Sequence, residues 1–260
     1  MLRATNYEET EKTLRVSGGA DVRPNVVSAL KRTLPEPSPA LCSHDGTFVV
    51  VGSGPSLPNF IEEIRQERLK GRPICSVKGS HDFLCENGIE PDLFLSVEPR
   101  DRREHLQHAN GHTTYLIASR CDPVMFDHLE GKRVMRWHSW SENENWPELK
   151  GKLLIGGGTT SGLRAVTFGY VQGFRNFVLY GMDSCLDSDK QTKRFTGEKA
   201  GMVVDRIIDG RTFYCNGAMA LQADEFQEYY KTMPDIHFEV KGDGLIAAIV
   251  STRKRMGYTH

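Results

Sequence analysis

The amino-acid sequence predicts an α/β fold with a mostly parallel sheet and helices on both faces. Short, continuous apolar runs recur along the chain, as expected of strands covered on both sides, and the clearest span residues 48–51, 93–97 and 177–180. Segments with apolar residues at three-and-four spacing lie between these runs, which indicates helices. Two of the strand-to-helix junctions are rich in glycine. This alternation is typical of a Rossmann-like domain.

The first glycine-rich junction lies in residues 47–70, where an apolar run leads through a turn into a helical pattern. Free backbone N–H groups at such a helix start make an anion site, and a nucleotide phosphate is the predicted anion. The residues predicted to hold it are Gly52, Ser53, Gly54, Pro55 and Ser56. A tight turn without a ligand is the alternative interpretation.

Two common nucleotide motifs do not fit this junction. A dinucleotide fingerprint needs a third glycine where the chain has Leu57, and an acidic residue after the next strand, where the chain has Lys78. A P-loop needs Gly-Lys-Ser/Thr after its spacer, which is absent from this stretch. NAD, and ATP held by a P-loop, are therefore both disfavoured.

The second glycine-rich junction, in residues 153–184, repeats the pattern. Three glycines precede hydroxyl side chains that can cap a helix or contact phosphate. The predicted nucleotide-binding residues are Gly157, Gly158, Thr159 and Thr160. Two such turns at one edge of a sheet favour a ligand more than one turn does, because ligands of open α/β sheets bind at the carboxyl ends of the strands.

Two carboxylates follow predicted strands and are candidate catalytic residues and metal ligands. Glu98 follows the run at 93–97, and Asp183 follows the run at 177–180. Oxygen ligands of this kind suit Mg²⁺ in phosphoryl-transfer sites, and Asp187 and Asp189 could join them. Two alternatives stay open: a glutamate before proline that only marks a loop, and an acidic loop that is only solvated.

The long polar and aromatic loop HSWSENENWPELKG, residues 138–151, has the character of a lid or binding loop. Trp140 and Trp146 could stack on a base or sugar, or they could fix the loop to the domain.

The length suits one large domain, flanked by two segments of different composition. Residues 1–44 are interpreted as an N-terminal arm that packs on the domain edge or on a second copy of the chain, so a homo-oligomer stays open. Residues 45–250 form the Rossmann-like domain. The basic tail, residues 251–260, is predicted to be disordered.

Composition disfavours several classes of partner. The 260-residue chain has a formal net charge of -1, so no overall positive field attracts nucleic acid or an acidic membrane. Its six cysteines are scattered, which indicates free thiols in a reducing cytoplasm. No apolar segment approaches the ~20 residues of a membrane span. We therefore expect a cytoplasmic protein with no membrane partner and no strong signal for nucleic-acid binding.

Three runs of sequence resemble a known family: VVGSGPSL at residues 50–57, NGIEPDLFLSVEP at 87–99 and GFRNFVLYGMDS at 173–184. They make residues 46–244 similar to the MptE-like 6-hydroxymethylpterin diphosphokinases, a family that also includes motility accessory factors implicated in flagellin glycosylation. The resemblance implies a Rossmann-like fold and, in the archaeal kinases, transfer of diphosphate from ATP to a pterin hydroxymethyl group with Mg²⁺. Relatives commonly have Asp where this chain has Glu98.

A second resemblance involves GPSL at residues 54–57 and the stretch 160–183. Both are similar to CMP-sialic-acid-dependent bacterial sialyltransferases, which use a histidine base in the segment after the Asp-bearing strand. The corresponding residues here, 212–226, contain no histidine. The resemblance therefore implies binding of a nucleotide-activated sugar, with any base supplied by a carboxylate.

Three hypotheses of function follow from these patterns. The first is a transferase that moves a diphosphoryl group from ATP, assisted by Mg²⁺, to a small hydroxymethyl acceptor resembling a pterin. The second is a glycosyltransferase that uses a CMP-sugar or another nucleotide sugar. The third is a non-catalytic nucleotide-binding protein. In the first two, the expected partners are a nucleotide co-substrate and a small-molecule acceptor.

Overall fold

The computed structural model describes residues 22–141, 146–186 and 203–257. Within these ranges the chain forms seven α-helices: α1 (Arg23–Leu30), α2 (Ile61–Leu69), α3 (Ser80–Glu86), α4 (Pro123–His128), α5 (Ser161–Val171), α6 (Gly217–Thr232) and α7 (Leu245–Arg255). The strands of the same ranges are β1 (His44–Val51), β2 (Ile74–Val77), β3 (Leu93–Ser96), β4 (Thr114–Ala118), β5 (Arg133–Ser139), β6 (Leu154–Ile155), β7 (Phe174–Tyr180), β8 (Val203–Ile208), β9 (Arg211–Asn216) and β10 (His237–Val240).

Eight of these strands form one sheet in the order β10-β7-β1-β2-β3-β4-β5-β6. Every pair of neighbours in the sheet is parallel, so the predicted α/β, Rossmann-like fold is confirmed. The chain adds β2 to β6 on one side of β1 and then returns to place β7 on the other side. The strand order therefore reverses at β1 and β7, and such a reversal is where open α/β sheets bind their ligands.

Helices cover both faces of the sheet, and the alternation of side chains along β1 shows how. Phe48 and Val50 belong to one apolar cluster, whereas Val49 and Val51 belong to another. Successive side chains of a strand point to opposite faces, so at β1 each cluster marks one face. The first face is covered by residues of α5, α6 and α7, and the second by residues of α2 and α3.

The predicted N-terminal arm packs on its own domain over the part that the structure describes. The backbone N–H of Arg136 on β5 donates to the carbonyl of Pro35 (2.9 Å), and that of Ala40 donates to Val171 (2.9 Å). Glu36 accepts hydrogen bonds from Arg136, His138 (3.2 Å) and Lys152 (3.0 Å). Residues 1–21 lie outside the described ranges.

The ion cluster formed by Glu36, Arg136, His138 and Lys152 shifts the pKa values of two of its members. Burial opposes ionisation of Glu36, but the hydrogen bonds from Arg136, Lys152 and His138 outweigh it and lower the pKa of Glu36 to about 2. Burial lowers the pKa of His138 despite the neighbouring carboxylate. Glu36 is therefore ionised at neutral pH and fixes the arm to the end of β5.

The prediction of a disordered basic tail was wrong for its first part. Helix α7 continues through residues 251–255 and ends at Arg255. The apolar residues Leu245, Ile246, Ile249 and Val250 are buried on one side of the helix, and this packing carries the following polar turn with it. Residues 258–260 lie outside the described ranges.

A β-hairpin turns at Asp209 and Gly210. Strands β8 and β9 pair antiparallel and form a separate two-stranded sheet that leads into α6.

Across the described ranges, none of the helices combines the length and apolar character that crossing a bilayer requires.

Candidate functional site at the carboxyl edge of the sheet

The turn after β1 packs directly against the end of β7. The backbone N–H of Gly52 donates to Tyr180 O (2.8 Å), and that of Gly54 donates to Gly181 O (2.8 Å). A Cβ atom on Gly52 would lie 2.5 Å from Gly181 O, and one on Gly54 would lie 2.2 Å from Oδ2 of Asp183. The two glycines therefore make room for the chain after β7, and their amides are already bonded within the protein.

Asp183 is enclosed between this turn and the loop after β10. Asp183 is 5% exposed, and its Oδ2 accepts a hydrogen bond from the backbone N–H of Ser56 (3.0 Å). Its backbone carbonyl accepts from Leu245 (2.8 Å), and Gly244 lies so close that a Cβ there would be 2.7 Å from the Asp183 backbone. Burial raises the pKa of Asp183 above its ordinary value. This carboxylate holds the turn in place.

Glu98 has a more accessible setting after β3. Its side chain is 25% exposed, and Arg100 donates to both carboxylate oxygens, from Nε (2.8 Å) and Nη2 (3.0 Å). Burial opposes ionisation, but Arg100 outweighs it and lowers the pKa of Glu98. Glu98 is therefore an ionised carboxylate that solvent and a ligand can reach.

The structure does not bring Glu98 and Asp183 together. Strands β1 and β2 lie between β3 and β7, which corresponds to about 14 Å at ~4.8 Å per strand. The two carboxylates also have separate partners, Arg100 and the Ser56 amide. Among the described residues, no group of three or more His, Cys, Asp or Glu side chains could hold a metal ion. The other predicted Mg²⁺ ligands, Asp187 and Asp189, lie outside the described ranges.

The second glycine-rich turn connects β6 to α5. Gly157 and Gly158 have φ values of +96° and +85°, a left-handed conformation that favours glycine. Thr159 donates from its backbone N–H (2.9 Å) and its hydroxyl (3.0 Å) to Oε2 of Glu225 on α6. A carboxylate oxygen therefore occupies the position at which this turn was predicted to hold a phosphate oxygen.

Thr160 begins helix α5 and belongs to a polar chain across the site. Its hydroxyl accepts from the N–H of Leu163 (3.4 Å), which caps the helix, and from Nε2 of Gln222 (2.7 Å). Gln222 in turn accepts from the hydroxyl of Ser184 (2.7 Å), three residues beyond Gly181, the glycine that follows β7.

The first glycine-rich turn and the start of helix α5 meet at Met182. A Cβ on Gly52 would lie 3.0 Å from the Met182 sulfur, and one on Gly162 would lie 2.5 Å from it. The start of α5 is thus in contact with the loop after β7, beside the first turn. Both predicted turns lie at the carboxyl edge of the sheet, near the reversal of strand order.

Sequence reasoning missed three polar residues of this edge. Gln222 and Glu225 occupy ordinary helical positions, and no local signal marks them. Arg164 had a signal, because it is a lone cation inside the apolar stretch of α5. It is 7% exposed and donates to Ile155 O (2.6 Å) and Trp140 O (3.0 Å).

Comparison with known proteins gave one family and a related structure. The model of the family described as "6-hydroxymethylpterin diphosphokinase MptE-like" matches residues 24–189. The chain is also similar to the structure of the MAf glycosyltransferase from Magnetospirillum magneticum AMB-1, with a TM-score of 0.65 and 19% sequence identity. That similarity covers 85% of this chain and 36% of the other, so this chain spans about a third of that structure. At this identity the likeness shows a shared fold. No curated protein sequence matched.

Proposed function

The chain belongs to the MptE-like family, a family of transferases by its description, and on that basis we propose that it transfers a diphosphoryl group from ATP to a small hydroxymethyl acceptor. The observation that carries the proposal is the family match, which extends across β1 to β7 and so includes both glycine-rich turns and the loop of Glu98. An accessible, ionised Glu98 on that edge supports it.

In the proposed reaction the acceptor hydroxyl oxygen attacks the β-phosphorus of ATP. The bond between that phosphorus and the α–β bridging oxygen breaks, AMP leaves, and the hydroxyl proton is released. Catalysis of this type depends mainly on positioning and on neutralising negative charge. Glu98 is our candidate for orienting the acceptor hydroxyl, because it is ionised and partly exposed, and the released proton passes to water.

Of the two candidate carboxylates at this edge, the accessible Glu98 suits Mg²⁺ and the enclosed Asp183 does not. Mg²⁺ is commonly bound through one or two protein carboxylates, with substrate phosphates and water completing the octahedron. Glu98 offers hard oxygen atoms at an accessible position, whereas the carboxylate of Asp183 is enclosed. We therefore assign Glu98 as the protein ligand and Asp183 as a positioning residue that holds the first turn. When bound, Mg²⁺ would neutralise phosphate charge.

The two glycine-rich turns are proposed as walls of the nucleotide site. The amides of Gly52, Gly54 and Ser56 already have partners, so phosphate contacts from the first turn fall to the partly exposed Ser53. In the second turn, a phosphate that reached Thr159 would replace the Glu225 carboxylate. Binding of a phosphate here would therefore replace one negatively charged partner of Thr159 with another.

A glycosyl transfer from a nucleotide-activated sugar is the second candidate. The observation that favours it is the fold shared with the MAf glycosyltransferase. The same turns would hold the donor, and Glu98 would act as the base because residues 212–226 contain no histidine.

Analysis of reaction products tests the proposal and separates the candidates. The purified chain is incubated with Mg²⁺ and either ATP plus 6-hydroxymethylpterin or CMP-sialic acid plus an acceptor sugar, and nucleotide products are followed by ³¹P NMR. Diphosphoryl transfer predicts AMP that forms only when the pterin is present. Acceptor-dependent release of CMP would support the second candidate, and release of neither nucleotide would contradict both.

Two glutamates of one loop provide a matched pair of variants. Glu98→Gln removes the carboxylate proposed to orient the acceptor hydroxyl and is expected to lower AMP formation at least ~100-fold. Glu104→Gln removes a more exposed carboxylate that pairs with Arg102 (3.0 Å) and should leave the rate nearly unchanged. Equal effects of the two substitutions would argue against the assignment of Glu98.

A further inference from the structure

Trp140 is a half-exposed aromatic residue at the carboxyl edge of the sheet. Its exposure is 49%, whereas Trp137, three residues earlier on β5, is 1% exposed. Among the exposed large apolar side chains of the described ranges, Trp140 is the one that directly follows a strand of the eight-stranded sheet. An indole that is half-exposed at this edge keeps apolar ring surface available for contact with a ligand.

The backbone of Trp140 is fixed on both sides. Its N–H donates to Ile155 O (2.9 Å), and its carbonyl accepts from Nη2 of Arg164 (3.0 Å). The same buried guanidinium donates from Nη1 to Ile155 O (2.6 Å). Arg164 thereby joins the ends of β5 and β6 to helix α5. The exposed indole is carried on a rigid support, which is what a preorganised binding surface requires.

The indole lies beside the second glycine-rich turn. A Cβ on Gly156 would sit 3.9 Å from Cε3 of Trp140, so the glycine is in contact range and contributes no side chain next to the ring. Trp140 follows β5, two strands from the strand that carries Glu98, or about 10 Å at ~4.8 Å per strand. This is within the span of a nucleotide or a pterin diphosphate.

We propose that Trp140 is a stacking platform for a planar heteroaromatic ring, the nucleobase of the donor or the pterin of the acceptor, and that Arg164 holds it in position. The proposal rests on the proposed function, because both substrates of that reaction carry such a ring. Stacking of a base on an aromatic side chain tolerates different bases, since every base has a π-face.

Calorimetric titration of the full chain tests this platform. The ligands are ATP with Mg²⁺, CMP, 6-hydroxymethylpterin, and inorganic diphosphate as the ligand without a ring. The proteins are wild type, Trp140→Ala, Trp140→Phe and, as the matched control, Trp146→Ala, which removes the tryptophan at the other end of the same loop. Thermal unfolding of each variant establishes that it is folded.

For whichever ring-containing ligand stacks on Trp140, Trp140→Ala is expected to raise Kd roughly 5- to 150-fold, while Trp140→Phe keeps most of the affinity. Diphosphate binding and the Trp146→Ala variant should change little. If Trp140→Ala raises Kd for ATP or CMP but not for the pterin, the ring that stacks on Trp140 is the nucleobase. If it raises Kd for the pterin alone, the stacked ring is that of the acceptor.

Three results would overturn the inference, and they differ in what else they affect. Unchanged affinity for every ring-containing ligand in Trp140→Ala contradicts the platform but leaves the proposed function in place. Equal weakening of diphosphate and ATP shows that the substitution acts on something other than ring stacking. Failure of the wild-type chain to bind any of the four ligands overturns the proposed function together with the platform.

Discussion

Replacing Gly54 by alanine should destabilise the protein in the absence of any ligand. The new Cβ would lie 2.2 Å from Oδ2 of Asp183 and 2.6 Å from Gly181 O, where ordinary contact begins near 3.4 Å. Something must therefore move by about 1 Å. The carbonyl of Gly181 is backbone, and the Asp183 carboxylate is held by the Ser56 amide, so neither can yield cheaply.

The magnitude follows from two contributions. Overpacking of a filled site costs about 1–3 kcal/mol. Displacing Asp183 leaves the Ser56 amide without its acceptor, which costs a further ~1–3 kcal/mol. We expect Gly54→Ala to lower the free energy of unfolding by about 2–6 kcal/mol, or at least about 5 °C in Tm for a chain of this size.

Urea unfolding of the ligand-free protein measures this effect, with Gly111→Ala as the matched control. Nothing lies within 4 Å of the Cβ position of Gly111, so that substitution should change stability by less than about 0.5 kcal/mol. If Gly54→Ala were as stable as wild type, the turn would not be packed on β7 as described. The glycine would then have to be explained by a ligand instead.

Three further predictions concern charged residues. Burial raises the pKa of Asp183 above 3.8, so the stabilisation provided by its protonated form is present below that pH and is lost as the pH rises through the folded-state pKa. Asp183→Asn should therefore be at least as stable as wild type at pH 7. Urea titrations should show the difference in unfolding free energy between the two proteins shrinking below pH 4. Glu36 behaves in the opposite way, because its pKa is lowered from 4.5 to about 2 and its stabilisation is lost as the pH falls through that window. Glu36→Gln should lower the free energy of unfolding by about 2 kcal/mol at pH 7, a value discounted for partial exposure, and by less at pH 3. If urea unfolding gave the same difference between wild type and variant at both pH values, the ion cluster around Glu36 would be contradicted. Arg164→Met leaves the carbonyls of Ile155 and Trp140 without the guanidinium donor and should lower the free energy of unfolding by about 1–3 kcal/mol. Unchanged thermal unfolding of this variant would show that the guanidinium is dispensable.

The strands and helices of the fold were largely predictable because their signals are local. The four apolar residues 48–51 lie on a central strand that is buried on both faces, and both glycine-rich junctions lead into helices. The end of α7 was missed because its stability comes from packing of Leu245 and Ile249, whereas the basic composition of residues 251–255 suggested disorder.

The candidate site was less predictable because its contacts are made between distant parts of the chain. Gly52 and Gly54 look like a phosphate turn in sequence, and only the fold reveals that Gly181 and Asp183 fill the space beside them. Placement at strand ends was predictable for Glu98 and Asp183, but their separation depends on the strand order, which the sequence does not encode locally. Glu225 was invisible for the same reason, since it reaches Thr159 across 66 residues.

Hydrogen–deuterium exchange with and without ATP and Mg²⁺ tests most directly the central claim, that the carboxyl edge of the sheet binds the nucleotide. We predict slower exchange in peptides that contain Ser53, Glu98 and Trp140, with little change in α1 or in the β8–β9 hairpin. Protection confined to α1 or the hairpin, with exchange at the carboxyl edge unchanged, would contradict the claim and place the nucleotide elsewhere on the molecule.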